Sequence, residues 1–356
     1  MLGIKEAVER LRSGGVVAIP TETVYGLAAE VTNLQAIQEI FFLKRRPSDN
    51  PLIVHVSSLK QLSEISKPLT ELELSIINKF WPGPLTLILP RKKKVLDAVT
   101  AGLETVAVRM PHHSLCLDLL QRTGPLVAPS ANLSGTPSPT KKEHVQNDFG
   151  PSFPILDGGA CSIGLESTVI SCRTSHLSTT RKNVPANSKT PSHSDIIIYR
   201  PGAISEKQLS EFGTVEYYSA SQAEQDCAGS IPILPSPGLK YRHYAPKARV
   251  EWLSSIDRLR EVTETSIVLL LDKTQLVDQA QAVEGTISSQ ELAQSFNLVD
   301  CEGSWERFGQ LLYDTFRVAD IENYTHVFVQ DIRLSTATSS LKDALTNRIE
   351  KAISGQ

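Results

Sequence analysis

The stretch PTETVYGL, residues 20–27, places several hydrogen-bonding side chains directly after an apolar run, VVAI. That run is β-branched, which indicates a buried strand, and Pro20 ends it because proline cannot donate to a sheet ladder. A simple turn would use Gly, Asn or Asp, whereas here two threonines and a tyrosine surround the carboxylate of Glu22. The stretch therefore predicts a polar loop that serves a ligand.

A second candidate is the cationic stretch KRRPSDNPLIVH, residues 44–55. Lys44 and Arg46 close a predicted helix, where the helix dipole favours cations in any protein. They would also suit a phosphate clamp, since Arg offers a planar fork of donors and Lys a point charge. His55 lies in the strand that follows, and its pattern alone favours a half-buried core histidine.

Arg109 stands inside the apolar strand TVAVRMP, residues 105–111. It could be an exposed edge residue. If it points into a pocket it requires an anion, and a substrate carboxylate fits that requirement.

The loop PSANLSGTPSPTK, residues 129–141, is rich in hydroxyl groups. Ser138 could cap the helix predicted after it, which would make the loop an ordinary serine-rich turn. The alternative is a phosphate cradle at a helix N-terminus, formed with Ser130, Asn132 and Ser134.

Five segments share this pattern of a strand end followed by dense polar groups, and strand ends are where ligands bind in open α/β sheets. They are PTETVYGL, KRRPSDNPLIVH, TVAVRMP, PSANLSGTPSPTK and GLESTVI. Each alone could be a turn, but five in one domain predict a binding site.

Composition narrows the class of protein. The chain has 356 residues, 40% of them hydrophobic and 21% charged, which is typical of a soluble globular protein of about two domains. No apolar run is long enough to cross a bilayer, and the N-terminal stretch does not resemble a targeting signal. Five scattered cysteines without a CxxC pair argue against a disulfide framework or a zinc site. We expect a cytoplasmic protein without membrane partners.

A net charge of −3 gives no general case for a nucleic-acid binder. Positive charge is nonetheless clustered in three runs, 44–46, 91–94 and 141–142. Such runs are usually solvated loops.

The alternation of elements predicts an α/β fold. Residues 1–205 give about seven strands in a mixed, twisted sheet flanked by helices, among them helices over 70–81 and 114–122 and a strand at FPILDGG. From residue 249 a strand–helix–strand pattern predicts a small parallel βαβ domain without a GxGxxG motif. We therefore expect one domain over 1–212 and a Rossmann-like domain over 248–356.

Two segments between these elements are irregular. Residues 173–194 are rich in Ser, Thr, Asn, Lys and Pro, which predicts a flexible insertion. Residues 213–247 contain SPGLKYRHYAP, which carries too many cations and aromatic side chains for a passive linker. We expect that segment to close over the cavity as a lid; it could also simply join the two domains.

The motifs PTETVYGL, KRRPSDNPLIVH, WPGPLTLIL, TVAVRMP, PSANLSGTPSPT, GLEST and RPGAI resemble, in order, those of the YrdC family. The later PGLKYRHYAP and the βαβ domain resemble the long, two-domain form of that family. The resemblance implies a YrdC-like twisted sheet with a large concave cavity. It also implies the synthesis of L-threonylcarbamoyl-AMP from L-threonine, bicarbonate or CO2, and ATP, with release of pyrophosphate, for threonylcarbamoyl modification of the adenosine next to the tRNA anticodon.

The resemblance also implies roles for individual residues. L-threonine would be bound by Thr23, His55, Arg109, Ala128 and Ser167. ATP would be bound by Arg46, Asn50, Thr105, Ser130, Ser138, Arg200 and Tyr241. Lys44, Arg46 and Arg109 would carry catalysis, which without a nucleophile consists of positioning and charge stabilisation.

Mg2+ would enter with ATP and take few ligands from the protein, so we expect no dedicated metal site. Further partners would be tRNA or tRNA-modification proteins. One alternative is a non-catalytic module that binds double-stranded RNA or tRNA in the same basic cavity. Another is a carbamoyl-transfer enzyme of the related maturation-protein class, although the chain lacks the zinc-finger and acylphosphatase modules of that class.

Overall fold

A computed structural model describes residues 2–173, 195–218, 244–255, 258, 261–274 and 297–355. The predicted insertion at 173–194 lies almost wholly outside these residues, and so does most of the predicted lid at 213–247, including Tyr241. No helix in the described part of the chain is long and apolar enough to span a bilayer.

The first domain is built on a nine-stranded mixed sheet, which confirms the predicted α/β class. Its strands are β1 (Val17–Ile19), β2 (Gly26–Glu30), β3 (Ile53–His55), β4 (Leu85–Pro90), β5 (Thr105–Arg109), β6 (Leu126–Val127), β7 (Thr168–Cys172), β8 (Ile196–Arg200) and β9 (Val215–Tyr217). They follow the order β1-β2-β6-β3-β5-β4-β7-β8-β9. Three neighbouring pairs are parallel, namely β3/β5, β4/β7 and β8/β9.

Helices flank this sheet. They are α1 (Ile4–Arg12), α2 (Leu34–Lys44), α3 (Leu59–Ile65), α4 (Glu71–Phe80), α5 (Asp97–Thr100), α6 (Ser114–Thr123), α7 (Lys142–Phe149) and α8 (Glu206–Leu209). The predicted helices over 70–81 and 114–122 are therefore confirmed. α4 begins where the Thr70 hydroxyl and the Glu73 carboxylate form a reciprocal capping box.

The second domain has a four-stranded parallel sheet, as the sequence predicts. Its elements are β10 (Arg249–Leu253), β11 (Ser266–Leu270), β12 (Asn297–Asp300), α9 (Trp305–Ile321), β13 (His326–Gln330) and α10 (Lys342–Ser354). Apolar residues recur along both helices at helical spacing and pack against the sheet.

Three local predictions differ from the structure. FPILDGG forms no strand, because only Ile155 pairs with the sheet, in a single bridge to Ala18. Ser138 does not cap α7, whose N-cap is Lys141. The first sheet also continues through β9, into residues that the sequence assigns to the linker.

The two domains make direct contact. α9 lies against the first domain, where Arg317 forms a 2.7 Å ion pair with Asp148 and Asp314 accepts a 2.9 Å hydrogen bond from His144. Leu165, from the first domain, is fully buried in the apolar core of the second. The second domain therefore buries part of the surface of the first.

The glycine of the RPGAI motif lies against the start of β7. A Cβ atom at Gly202 would lie 2.6 Å from the Ser167 carbonyl carbon and 2.8 Å from the Glu166 carbonyl oxygen, and backbone atoms cannot move aside easily. We expect Gly202→Ala to lower the free energy of unfolding by about 1–3 kcal/mol, as overpacking does. Urea denaturation measures this change.

Gly3→Ala is the matched control, because a Cβ atom there meets its nearest neighbour at 3.7 Å and the backbone has a φ of −76°. Equal stability of the two variants would contradict the close approach at Gly202.

Candidate active site

One cavity of about 770 Å³, open to solvent, collects most of the predicted site residues. Part of it lies on a face of the first sheet: Ile53 and His55 are two residues apart on β3, and Arg109 is the register partner of His55 on β5. Loops cover the rest. The lining residues that carry polar side chains are Thr21, Thr23, Lys44, Arg46, His55, Arg109, Ser130, Asn132, Ser134, Thr136, Ser138, Glu166, Ser167, Arg200 and Tyr244.

The hydroxyl groups of PTETVYGL form a chain that ends on Arg109. The Thr21 and Thr23 hydroxyl oxygens are 2.9 Å apart, and Arg109 Nη1 donates to Thr23 Oγ1 over 2.6 Å. Arg109 Nε also donates to the Gly83 carbonyl over 3.2 Å. These bonds hold the guanidinium against the sheet, so that Arg109 is buried and fixed rather than an exposed edge residue.

Glu22 is the residue of this loop that sequence reasoning left without a role. Its Oε2 lies 2.6 Å from Arg109 Nη2, and both side chains are about 95% buried. A buried charge of one sign needs a partner, and Glu22 supplies it to Arg109. A substrate carboxylate at Arg109 would therefore share the guanidinium with Glu22.

His55 is buried beside this pair. Burial, and secondarily the charge of Arg109, lower the pKa of His55 to about 3, so the imidazole is neutral at physiological pH. Among the described residues its Nδ1 atom has no hydrogen-bond partner. A buried polar atom of this kind needs a partner, and a bound ligand could provide one.

Lys44 lies at the end of α2 and is almost completely buried, not exposed to solvent. Its Nζ donates to the backbone carbonyls of Ser130 and, over 2.7 Å, of Asn132. Burial lowers the pKa of Lys44 well below its usual value. The residue thus ties α2 to the hydroxyl-rich loop, and its predicted role toward phosphate stays a prediction.

Arg46 is half-buried at the cavity wall. It donates to the carbonyl of Asn50 over 3.3 Å and to that of Pro51 over 2.9 Å, which shapes the turn between α2 and β3. Asn50 is buried next to this wall but is not among the residues that line the cavity.

Ser167 and Arg200 form a pair at the start of β7 and the end of β8. Arg200 donates to the Ser167 carbonyl and to its hydroxyl, each over 3.1 Å. The Ser167 and Thr86 hydroxyl oxygens are 2.7 Å apart. Both predicted residues therefore line the cavity at one position.

Glu166 sits beside them and was missed as a site residue. Its Oε1 accepts a 2.5 Å hydrogen bond from the Ser138 hydroxyl, and its Oε2 accepts a 2.8 Å bond from Arg348 Nε. Burial alone would raise the pKa of this carboxyl, but the guanidiniums of Arg348 and Arg200 hold the pKa of Glu166 at about 2. It is therefore ionised and acts as an acceptor.

Among the described residues, Thr105, like Asn50, is a predicted ATP contact that does not line the cavity. Thr105 lies at the opposite end of β5 from Arg109, on the same face and about 13 Å away by strand geometry. Tyr241 lies outside the described residues. Tyr244, three residues further on, does line the cavity, so the end of the predicted lid reaches the site.

The remaining basic runs are engaged elsewhere. Arg91 pairs with Asp97 at 2.6 Å, Lys94 with Glu64 at 3.3 Å and Lys142 with Asp157 at 2.7 Å. None of these cations lines the cavity. Among the described residues, four basic side chains line it, Lys44, Arg46, Arg109 and Arg200, against the single carboxylate of Glu166.

This arrangement suits the binding of two anionic groups. Among the described residues, the buried cysteines cannot serve as nucleophiles at neutral pH, since burial raises the pKa of Cys161 to about 12. The described residues also contain no group of three potential metal ligands. The fold and site therefore define an α/β protein with one preorganised, largely cationic cavity that a second domain adjoins.

Comparison with known proteins identifies this class more closely. Residues 9–182 match the Sua5/YciO/YrdC family model, described as "Telomere recombination", and residues 204–354 match the model "Threonylcarbamoyl-AMP synthase, C-terminal domain". The threonylcarbamoyl-AMP synthase of Bacillus subtilis is 38% identical over 99% of this chain and 93% of its own length. The chain belongs to the Sua5/YrdC family, in its two-domain form.

Two further comparisons, with a synthase and a crystal structure from Pyrococcus abyssi, agree with this family membership. The threonylcarbamoyl-AMP synthase of Pyrococcus abyssi is 41% identical over 69% of this chain and 66% of its own length. The crystal structure of P. abyssi Sua5 complexed with L-threonine has a TM-score of 0.76 and 31% identity, covering 99% of this chain and 94% of that one.

The Arg109 fork yields a prediction about selectivity between two ligands. We expect Arg109→Lys to weaken L-threonine binding about tenfold, roughly 1.4 kcal/mol, because one ammonium cannot replace a planar fork shared by Glu22, Thr23 and a carboxylate. ATP binding should change less than twofold. Isothermal titration calorimetry with each ligand separately measures both.

Arg46→Ala is the control of opposite pattern, with ATP binding weakened and threonine binding retained. Equal losses for both ligands in Arg109→Lys would place Arg109 outside the threonine pocket.

The pKa of His55 predicts a pH-dependent stability. Its folded pKa of about 3 lies below the unfolded value of about 6.5, so the stability it contributes is present above pH 6.5 and is lost as the pH falls. Between pH 7 and pH 5 this loss amounts to about 2 kcal/mol. We expect His55→Asn to reduce the fall in unfolding free energy over this range by that amount.

Urea denaturation at the two pH values checks it, with His112→Asn at the exposed surface as the control. A pH dependence unchanged in His55→Asn would show that the imidazole is not held neutral in the fold.

Proposed function

We propose that the cavity holds L-threonine and ATP side by side and converts them, with bicarbonate or CO2, into L-threonylcarbamoyl-AMP and pyrophosphate. The observation that carries the proposal is that one cavity is lined both by the fixed Arg109 guanidinium and by Arg46, Arg200 and a hydroxyl-rich loop. Membership of a family whose named relatives are threonylcarbamoyl-AMP synthases supports the same activity.

For L-threonine, Arg109 would bind the carboxylate, and Thr23, His55, Ser167 and the Ala128 backbone would surround the rest of the amino acid. The hydroxyl group of threonine can be selected by hydrogen bonds, because an analogue without it leaves buried partners unpaired. The unpartnered Nδ1 atom of His55 is suited to that role. The L-threonine complex of the P. abyssi relative supports L-threonine as the ligand.

For ATP, Arg46 and Arg200 would face the triphosphate, with Asn50, Ser130 and Ser138 as further contacts. Thr105 and Tyr241 stay predicted contacts of ATP. ATP would enter as its Mg2+ complex, with the ion held by phosphate and water oxygens. This fits the donor set, because among the described residues the one carboxylate that lines the cavity, Glu166, already accepts bonds from Ser138 and Arg348.

The chemistry would require no covalent enzyme intermediate. The neutral amine of threonine attacks CO2, or bicarbonate with loss of water, and loses a proton to give a carbamate. A carbamate oxygen then attacks the α-phosphorus of ATP, and the bond from that phosphorus to the bridging oxygen of pyrophosphate breaks. The protein contributes orientation and fixed positive charge, which are large terms when the groups are already in place.

The product would feed the threonylcarbamoyl modification of the adenosine next to the tRNA anticodon, in the cytoplasm. A non-catalytic RNA-binding module is the alternative that the basic runs raise. It is less well supported, because the cations at 91, 94 and 142 are paired within the protein.

Release of pyrophosphate from ATP tests the activity directly. We expect release that depends on both L-threonine and bicarbonate, with threonylcarbamoyl-AMP detected by mass spectrometry. L-serine and L-valine serve as controls that lack the methyl and the hydroxyl group of threonine, respectively. Pyrophosphate release without any threonine dependence, or tight tRNA binding without turnover, would overturn the proposal.

A further inference from the structure

We propose that Arg348, which the second domain contributes through α10, is a positioning residue for the predicted ATP contacts Ser138 and Arg200 and acts by holding Glu166. This inference rests on the proposed function and extends it, because it gives the second domain a part in the reaction. Arg348 itself does not line the cavity.

Arg348 has the contacts of a fixed side chain. It is completely buried, and its Nε donates to Glu166 Oε2 over 2.8 Å while Nη2 donates to the Pro201 carbonyl over 3.0 Å. Its guanidinium carbon also lies 5.1 Å from the centre of the Tyr244 ring. Arg348 therefore ties α10 to the loop before β7 and to the RPGAI motif.

Tyr313, from α9, also contacts the carboxylate of Glu166. Its hydroxyl lies 3.1 Å from Glu166 Oε2 and 3.3 Å from Oε1, and its ring stacks on Tyr244 with centres 5.6 Å apart. Two helices of the second domain thus converge on one side chain of the first.

Glu166 connects these contacts of the second domain to residues that line the cavity. Its Oε1 accepts a hydrogen bond from the Ser138 hydroxyl. The carboxylate therefore fixes the orientation of a hydroxyl group that lines the cavity and is a predicted ATP contact. It also lies next to Ser167, whose carbonyl and hydroxyl hold Arg200. A displaced Glu166 would disturb both predicted ATP contacts at once.

Charge gives a second reason. Glu166 is an anion in a cavity that receives a triphosphate, and like charges at close range disfavour binding. The positive charge of the Arg348 guanidinium, which is bonded to Glu166 but does not line the cavity, offsets that negative charge. Without it, the carboxylate would repel the anionic ATP more strongly than L-threonine, which as a zwitterion carries no net charge.

Arg317 provides a matched comparison within the same interface. It too is buried and crosses between the domains, with a 2.7 Å ion pair to Asp148 and a hydrogen bond to the Pro137 carbonyl. Its described partners, however, are not among the residues that line the cavity. Loss of Arg317 should weaken domain contact without reaching the nucleotide.

The test measures ATP and L-threonine dissociation constants by calorimetry on the full chain. We expect Arg348→Met to weaken ATP at least tenfold and threonine less than threefold, and Arg317→Met to weaken neither by more than threefold. In Arg348→Met combined with Glu166→Gln, removal of the unpaired charge should restore part of the ATP affinity. Tyr313→Phe, which keeps the ring and loses one donor, should give a smaller loss of the same pattern.

The proposal is overturned if Arg348→Met and Tyr313→Phe weaken both ligands equally, if they weaken neither, or if Arg317→Met reproduces the selective loss. Should Arg348→Met not fold, Tyr313→Phe decides alone. Since binding is measured rather than turnover, these results stand apart from the activity: a wild-type chain that binds ATP but makes no product would refute the proposed function and leave this test intact.

Discussion

The buried carboxylate of Glu166 is the point at which the parts of this protein meet. It accepts hydrogen bonds from Ser138 in the first domain and from Arg348 and Tyr313 in the second. A buried ion is tolerated only when charged and hydrogen-bonding partners surround it, and removal of one partner from such a pair costs roughly 3–5 kcal/mol. The cavity wall and the contact between the domains therefore depend on the same side chain.

A similar constraint operates at Arg109, against which Glu22 is buried. The pair fixes the guanidinium before any ligand arrives, with Thr23 and the Gly83 carbonyl as further partners. Fixed donors need no reorganisation when charge develops, which is how preorganised sites contribute to a reaction. At Arg109 and at Arg200 alike, a cation that can face a substrate thus lies near a carboxylate that anchors the surrounding groups.

Much of the fold and of the site could be predicted from sequence because the signals are local. Apolar runs located most strands, the pattern over 70–81 located α4, and motif resemblance named the residues around Arg109. β2 was missed, since GLAAE has little β propensity and its strand exists only through its neighbours in the sheet.

The partners of Glu22, Lys44 and Glu166 were missed because each pairing joins residues far apart in sequence. One signal was available: Arg348 lies in the apolar stripe of α10 with Ala344, Leu345 and Ile349, a position that needs a buried anion.

The most direct test of the account is a crystal structure of the full chain with L-threonine and a non-hydrolysable ATP analogue. The account predicts both ligands in the one cavity, with the threonine carboxylate at Arg109, the triphosphate at Arg46 and Arg200, and the threonine nitrogen directed toward the α-phosphorus. Glu166 should still be bonded to Arg348. Ligands in separate places, or a triphosphate at Arg109, would contradict it.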